Sequence, residues 1–176
     1  MTKHINTYLK ITILLAFSLA VSNSAFSQKE RKDIRRGNKV FEKALGDSGY
    51  VDTIRMQTAE AYYRNALTEN INSFEGGFNL GASLFKQQKF SEAADQYKIL
   101  TSYQTDKDKL AQVYHNLGNS LFMDGKLQES IEAYKSSLRI SPADTTTRYN
   151  LAAAQKLLED MKNNPDKQQQ DQDQNQ

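Results

Sequence analysis

His115-Asn116-Leu117-Gly118-Asn119-Ser120-Leu121-Phe122 is followed by a turn at Asp124-Gly125, then by Ser130, Tyr134, Ser137-Leu138 and a stop at Pro142. This stretch has copies on either side. Phe78-Asn79-Leu80-Gly81 precedes it and Tyr149-Asn150-Leu151-Ala152 follows it, at offsets of 37 and 34 residues. The first match continues downstream, because Leu84-Phe85 answers Leu121-Phe122, Phe90 answers Leu127, Ala93 answers Ser130, and Tyr97 answers Tyr134. Leucines at i and i+4, then a small residue and a tyrosine at i and i+4, are the faces of two helices joined by a turn. Gly81, Gly118, Ala93 and Ser130 are small where the helices must approach, and Tyr97 and Tyr134 fill the space they leave. A hairpin this short cannot bury its apolar face alone, so the units must stack.

The pattern L-G-x-x-L, then A-x-x-x-Y, then P resembles the tetratricopeptide repeat, and residues 111–144 match it almost throughout. The unit at 74–110 departs from it, with Gln88 where a turn glycine is usual, Thr105 where proline is usual, and three extra residues around Gln104 to Lys109. A divergent first copy occupies 28–73: Arg36-Gly37-Asn38-Lys39-Val40-Phe41 opens it, and Ala59-Glu60-Ala61-Tyr62-Tyr63 closes it. Gly37 to Tyr63 spans 26 positions against 16 in the other copies, which predicts an enlarged hairpin loop around Asp47-Ser48-Gly49. Residues 145–162 form a lone capping helix with a polar outer side at Lys156, Glu159, Asp160 and Lys162, and the glutamine-rich segment 163–176 reads as a disordered tail. The expected fold is therefore all-α, a right-handed superhelical solenoid of three helical hairpins plus a C-terminal cap.

Residues 1–27 are expected to stay outside that fold. Lys3, His4 and Lys10 form a basic start, Ile11 to Val21 is uncharged and apolar, and Ala25-Phe26-Ser27 offers small residues for cleavage before Gln28. The reading is a secretory signal and a periplasmic product; the alternative is an inner-membrane anchor left uncleaved. Without those residues the chain carries as many acids as bases, which argues against a nucleic-acid or anionic-membrane target. The basic run Lys29 to Arg36 is interrupted by acids and reads as a solvated helix turn.

The signal ending Phe26-Ser27-Gln28, the early Arg35-to-Asn38 helix, the Tyr149-to-Ala152 cap leading into Lys156-Leu157-Leu158, and the glutamine-rich tail resemble the exported tetratricopeptide proteins of the Bacteroides aerotolerance (Bat) operons. The resemblance implies an envelope protein working beside membrane proteins with von Willebrand type A domains, in fitness under oxygen or other stress.

Catalytic signatures are missing from the sequence. There is no cysteine, His115 is the one histidine after residue 27, and no phosphate loop or nucleophile frame is present, so neither an enzyme nor a metal or cofactor site is expected. Acid pairs such as Glu129 and Glu132 read as solvated helix faces. The resemblance to the repeat family places the first helix of each unit along a concave side, with the residues flanking the Leu-Gly pair pointing into it. It implies a partner-binding groove of Arg31, Arg35, Asn38 and Phe41 at the near end, then Phe78, Asn79, Phe85 and Lys86, then His115, Asn116, Asn119 and Phe122, then Tyr149 and Asn150. Asn79, Asn116 and Asn150 would make a ladder able to grip a peptide backbone, or else would brace neighbouring helices. The expected function is capture of a protein or extended peptide, with self-association of stacked repeats as the alternative and no small-molecule substrate.

Overall fold

The computed structural model describes residues 27–46 and 50–163. The expected signal over 1–26, the loop residues Asp47 to Gly49 and the tail from 164 onward lie outside the described residues. Seven helices and no strand are found among the described residues: α1 (27–45), α2 (Thr53–Glu69), α3 (Phe74–Lys86), α4 (Phe90–Tyr103), α5 (Lys107–Met123), α6 (Leu127–Ile140) and α7 (Thr145–Asn163). This is the all-α helical-repeat fold that the sequence predicts.

The chain divides into two compact units between Gly76 and Gly77. In the N-terminal unit, α1 and α2 form a hairpin around Ile34, Ala44, Met56, Ala59 and Tyr63, all buried. Asp52 caps α2 by accepting from the Arg55 amide at 3.0 Å, and the Asp52 amide closes the hairpin by donating to the Ala44 carbonyl at 2.8 Å. The ten additional residues of this hairpin do not all go into its loop. Three prolong α1 beyond Gly37, four enlarge the connection 46–52, and three lengthen α2 ahead of Tyr63, relative to the other two hairpins. Tyr50 in the connection and Ile54 in the first turn of α2 are open to solvent.

The C-terminal unit holds most of α3 and all of α4 to α7. Successive helices pack on each other from α4 to α7, and α5 also meets α7. The small-residue positions act as the spacing predicts: Gly81 lies under the Tyr97 ring and Gly118 under the Tyr134 ring. Around them Leu80, Leu84, Leu100, Val113, Leu117, Leu121 and Ile131 are buried. The buried Ser137 hydroxyl fastens α6 to α5 by donating to the Ala111 carbonyl at 2.8 Å. Asp106 and Asp144 cap α5 and α7, and α6 ends at Ile140, just before Pro142. The three extra residues near Gln104 become an additional turn at the start of α5, so the repeat boundary falls at Asp106 rather than after Leu110. On α7 the polar side at Lys156, Glu159, Asp160 and Lys162 is exposed, but Leu157 and Met161 are exposed with it. No helix among the described residues is long and apolar enough to cross a membrane.

Candidate functional site

Three adjoining concavities run along α3, α5 and α7 in the C-terminal unit. One of about 320 Å³ has apolar walls of Phe85, Phe122, Met123, Tyr149 and Ala153, with Asn119 and Asn150 set between them. The next, about 220 Å³, shares Phe85 and Asn119 with the first and adds Lys86, Ala82, Tyr97 and Asn116. A third of about 620 Å³ shares Asn116 and is lined by Phe78, Gln112 and His115 as well as the acids Asp108 and Asp144. Tyr149 is 76% exposed and Met123 51% exposed, so the apolar end opens to solvent.

The repeat geometry explains why these side chains converge. Positions two before and one after each glycine lie on the same side of the first helix, and Phe85 and Phe122 follow one turn later. The structure thus brings Phe78, Phe85, Lys86, His115, Asn116, Asn119, Phe122, Tyr149 and Asn150 to the walls of one continuous surface. Asn79 is half-buried on α3 and already partnered. Arg31, Arg35, Asn38 and Phe41 belong to the N-terminal unit, where both arginines are exposed and Asn38 and Phe41 are half-buried. Asn38 accepts from the Tyr63 hydroxyl at 3.0 Å and donates to Glu75 at 3.4 Å.

Two asparagines of the ladder, Asn116 and Asn150, brace helices. Asn116 bonds the Tyr97 hydroxyl, and Asn150 donates to Asn119 Oδ1 at 2.9 Å, beside the Tyr134 hydroxyl, which donates to the same oxygen at 2.8 Å. Burial pushes the Tyr97 phenol well above its usual value and lifts Tyr134 to about 12, with the Asn116 and Asn150 amides offsetting part of each shift. Both tyrosines therefore stay neutral donors.

His115 continues the network. Asn119 Nδ2 lies 3.0 Å from His115 Nε2, and His115 Nδ1 lies 2.6 Å from Thr147 Oγ1. The Thr147 hydroxyl donates its single proton to Asp144 Oδ2 at 2.5 Å, so it can only accept from the ring. That fixes the neutral tautomer with the proton on Nδ1, and Nε2 accepts from Asn119. Burial holds the imidazole below its ordinary pKa, partly countered by the Asp144 charge, while hydrogen bonds from Thr147 hold the Asp144 carboxyl low. Every link in this chain points its donor toward Asp144.

Thr147, Asp144, Gln112, Met123 and Ala153 are wall or network residues that the sequence reading did not place in the groove. Met123 and Ala153 follow Asn119 and Tyr149 at i+4, so helical periodicity carried the signal for them. No group of side chains that could hold a metal occurs among the described residues.

Residues 118–158 match a family model described as TPR repeat. No curated protein matches the chain in sequence. Among solved structures it is similar to the second TPR domain of the human RPAP3 protein in complex with an HSP70 peptide, at TM-score 0.63 and 15% identity, over 74% of this chain and 98% of that one. The first TPR of Spaghetti (RPAP3), bound to an HSP90 peptide, gives TM-score 0.64 and 19% identity over 75% and 94%. The Sgt2 TPR domain from Aspergillus fumigatus gives 0.63 and 15% over 76% and 82%. At these identities the likeness is one of fold.

Proposed function

We propose that this chain, a helical array with the tetratricopeptide-repeat fold, is a non-catalytic module that captures a segment of a partner protein along the concave surface of α3, α5 and α7. The observation that carries this reading is the continuity of the three concavities, an aromatic and apolar end open at Tyr149 and Met123 leading through Lys86 to an end lined by Asp108 and Asp144. A segment lying there can bury apolar side chains against Phe85, Phe122 and Tyr149. Polar side chains of the wall then fix its position. Two of the solved structures with this fold hold chaperone peptides, which supports a peptide as the class of ligand.

The finer reading places the protein outside the cytoplasm, in an envelope complex serving aerotolerance or stress fitness, with von Willebrand type A membrane proteins as partners. It rests on the N-terminal apolar run and on the sequence resemblance to the Bat-operon proteins. The test is binding of the chain to the soluble part of such a membrane protein, comparing wild type with Tyr149→Ala and Phe122→Ala. Tyr149 is mostly exposed and its loss should leave the fold intact, whereas Phe122 packs against Ile131, Tyr134 and Ala154, so its variant is compared once circular dichroism shows it folded. Each loss of an apolar wall should lower affinity about ten-fold or more. Unchanged binding by both variants would remove the groove as the capture site. A concentration-dependent dimer that both variants abolish would instead favour self-association.

A further inference from the structure

Neighbours in sequence are not neighbours on the surface of α1. Acids interrupt the basic run from Lys29 to Arg36, yet the helix turns them away from the cations. Asp33 is buried with Arg36 3.8 Å away, and Glu30 is half-buried and accepts from Asn70 at 3.1 Å. Two cations are also engaged, Lys29 with Glu69 and Arg36 over the Tyr62 ring at 5.9 Å. Of the remaining five, Arg31 stands to one side, in line with Glu42 along the helix, and Lys32, Arg35, Lys39 and Lys43 are spaced three, four and four residues apart. At 3.6 residues per turn they share roughly a quarter of the helix circumference over about 16 Å of its length. These last four are exposed and none makes an ion pair among the described residues, while Glu42 stands at the border of the stripe.

We propose that this cationic face of α1 docks on an anionic lipid surface. The overall charge balance of the chain from residue 28 onward hides it, because α1 alone carries seven cations and three acids. Each Lys or Arg held near an anionic leaflet contributes about 1 kcal/mol. The neighbouring sequence favours lipid as the occupant, since the apolar run ends at Val21, eight residues before Lys29. Where that run is retained in a bilayer, the six steps from Val21 to the start of α1 at Ser27 span at most about 22 Å, which keeps the stripe beside the headgroups of the same membrane.

The experiment uses the full chain and two kinds of vesicle, phosphatidylcholine alone and equal parts phosphatidylcholine and phosphatidylglycerol. An apolar segment partitions into both, so the readout is the difference between them. Wild type should prefer the anionic vesicles, with the preference falling as salt rises. The combined Lys32→Gln, Lys39→Gln, Lys43→Gln variant should lose that preference by roughly a hundred-fold. A control with the same net charge, Lys107→Gln, Lys156→Gln, Lys162→Gln, should keep it, and circular dichroism checks that both variants are folded. Equal partition of wild type into the two vesicles, or equal loss in both variants, would overturn the proposal. Retention of wild type on immobilised polyglutamate without a preference for anionic vesicles would also overturn it and assign the stripe to an acidic protein.

Discussion

Gly118 has no room for a side chain, since a Cβ built there would lie 2.5 Å from Tyr134 Cδ1 and Cε1. The ring cannot easily yield, because Tyr134 is buried and its hydroxyl is tied to Asn119. Gly118→Ala should therefore destabilise the protein by roughly 1–3 kcal/mol. A urea midpoint equal to that of wild type would contradict the close approach of α5 and α6. His115 sets a second condition at this scale. A proton added to Nε2 would face the donating Asn119 amide, and turning that amide over would set its NH2 against the donors from Tyr134 and Asn150. The folded imidazole lies below its ordinary value of 6.5, so the unfolded chain takes up the proton first. The contribution to stability is complete above about pH 6.5 and is lost as pH falls through the folded value. Asp144, also held low, acts in the same direction but in more acid solution, below its ordinary 3.8. The melting temperature should fall between about pH 7.5 and pH 5 in wild type, and this slope should flatten in His115→Gln. Equal slopes in the two proteins would detach His115 from the effect.

Among the elements, the turns between paired helices decide most. The α5–α6 turn closes on Gly125 at φ 76°, and the α3–α4 turn repeats it with Gln88 at φ 62°. The backbone bonds correspond as well: the amides of Gln88 and Lys89 donate to Phe85 and Leu84, as those of Gly125 and Lys126 donate to Phe122 and Leu121. Gln88 thus holds a left-handed conformation that costs a residue with a Cβ about 1–2 kcal/mol. Glycine removes that strain but adds freedom to the unfolded chain, worth about 0.4–1 kcal/mol. Gln88→Gly should stabilise the protein by roughly 0.5–1 kcal/mol, and Gly125→Gln should do the reverse, both read from thermal unfolding. A lower melting temperature for Gln88→Gly would mean that its side chain does more for the turn than its backbone strain removes.

For the molecule as a whole, the repeat was legible because sterics couple each small residue to a tyrosine on the facing helix, 16 positions on in two of the hairpins. That coupling survives even in the divergent hairpin, where Tyr63 lies over Gly37 and its hydroxyl meets Asn38, as Tyr134 meets Gly118 and Asn119. The placement of inserted residues was not legible. Nothing in the segment between Gly37 and Tyr63 distinguishes a larger loop from longer helices, and the chain uses both. The surface position of the groove residues followed from helical periodicity. Their hydrogen bonds did not, because the partner of Asn116 is a phenol nineteen residues earlier and that of Asn150 is an amide a repeat away. The cationic face of α1 stayed hidden for a related reason, as linear order mixes charges that a helix separates.

Asn116 set against the Tyr97 hydroxyl, and Asn150 bonded to the Asn119 oxygen that also takes the Tyr134 hydroxyl, are joints with one half on each of two successive copies. They govern how such an array can be lengthened. Insert a second run of residues 116–149 between Tyr149 and Asn150, and Tyr134 finds the new asparagine while the duplicated tyrosine finds Asn150. Every hydroxyl is still matched. The copies need not be equal in length, since 19 residues separate Tyr97 from Asn116 and 16 separate Tyr134 from Asn150, the difference being taken up in the longer start of α5. What an insertion must keep is the register of each asparagine with its neighbours on the same helix, like masonry whose courses vary in length but not in bond.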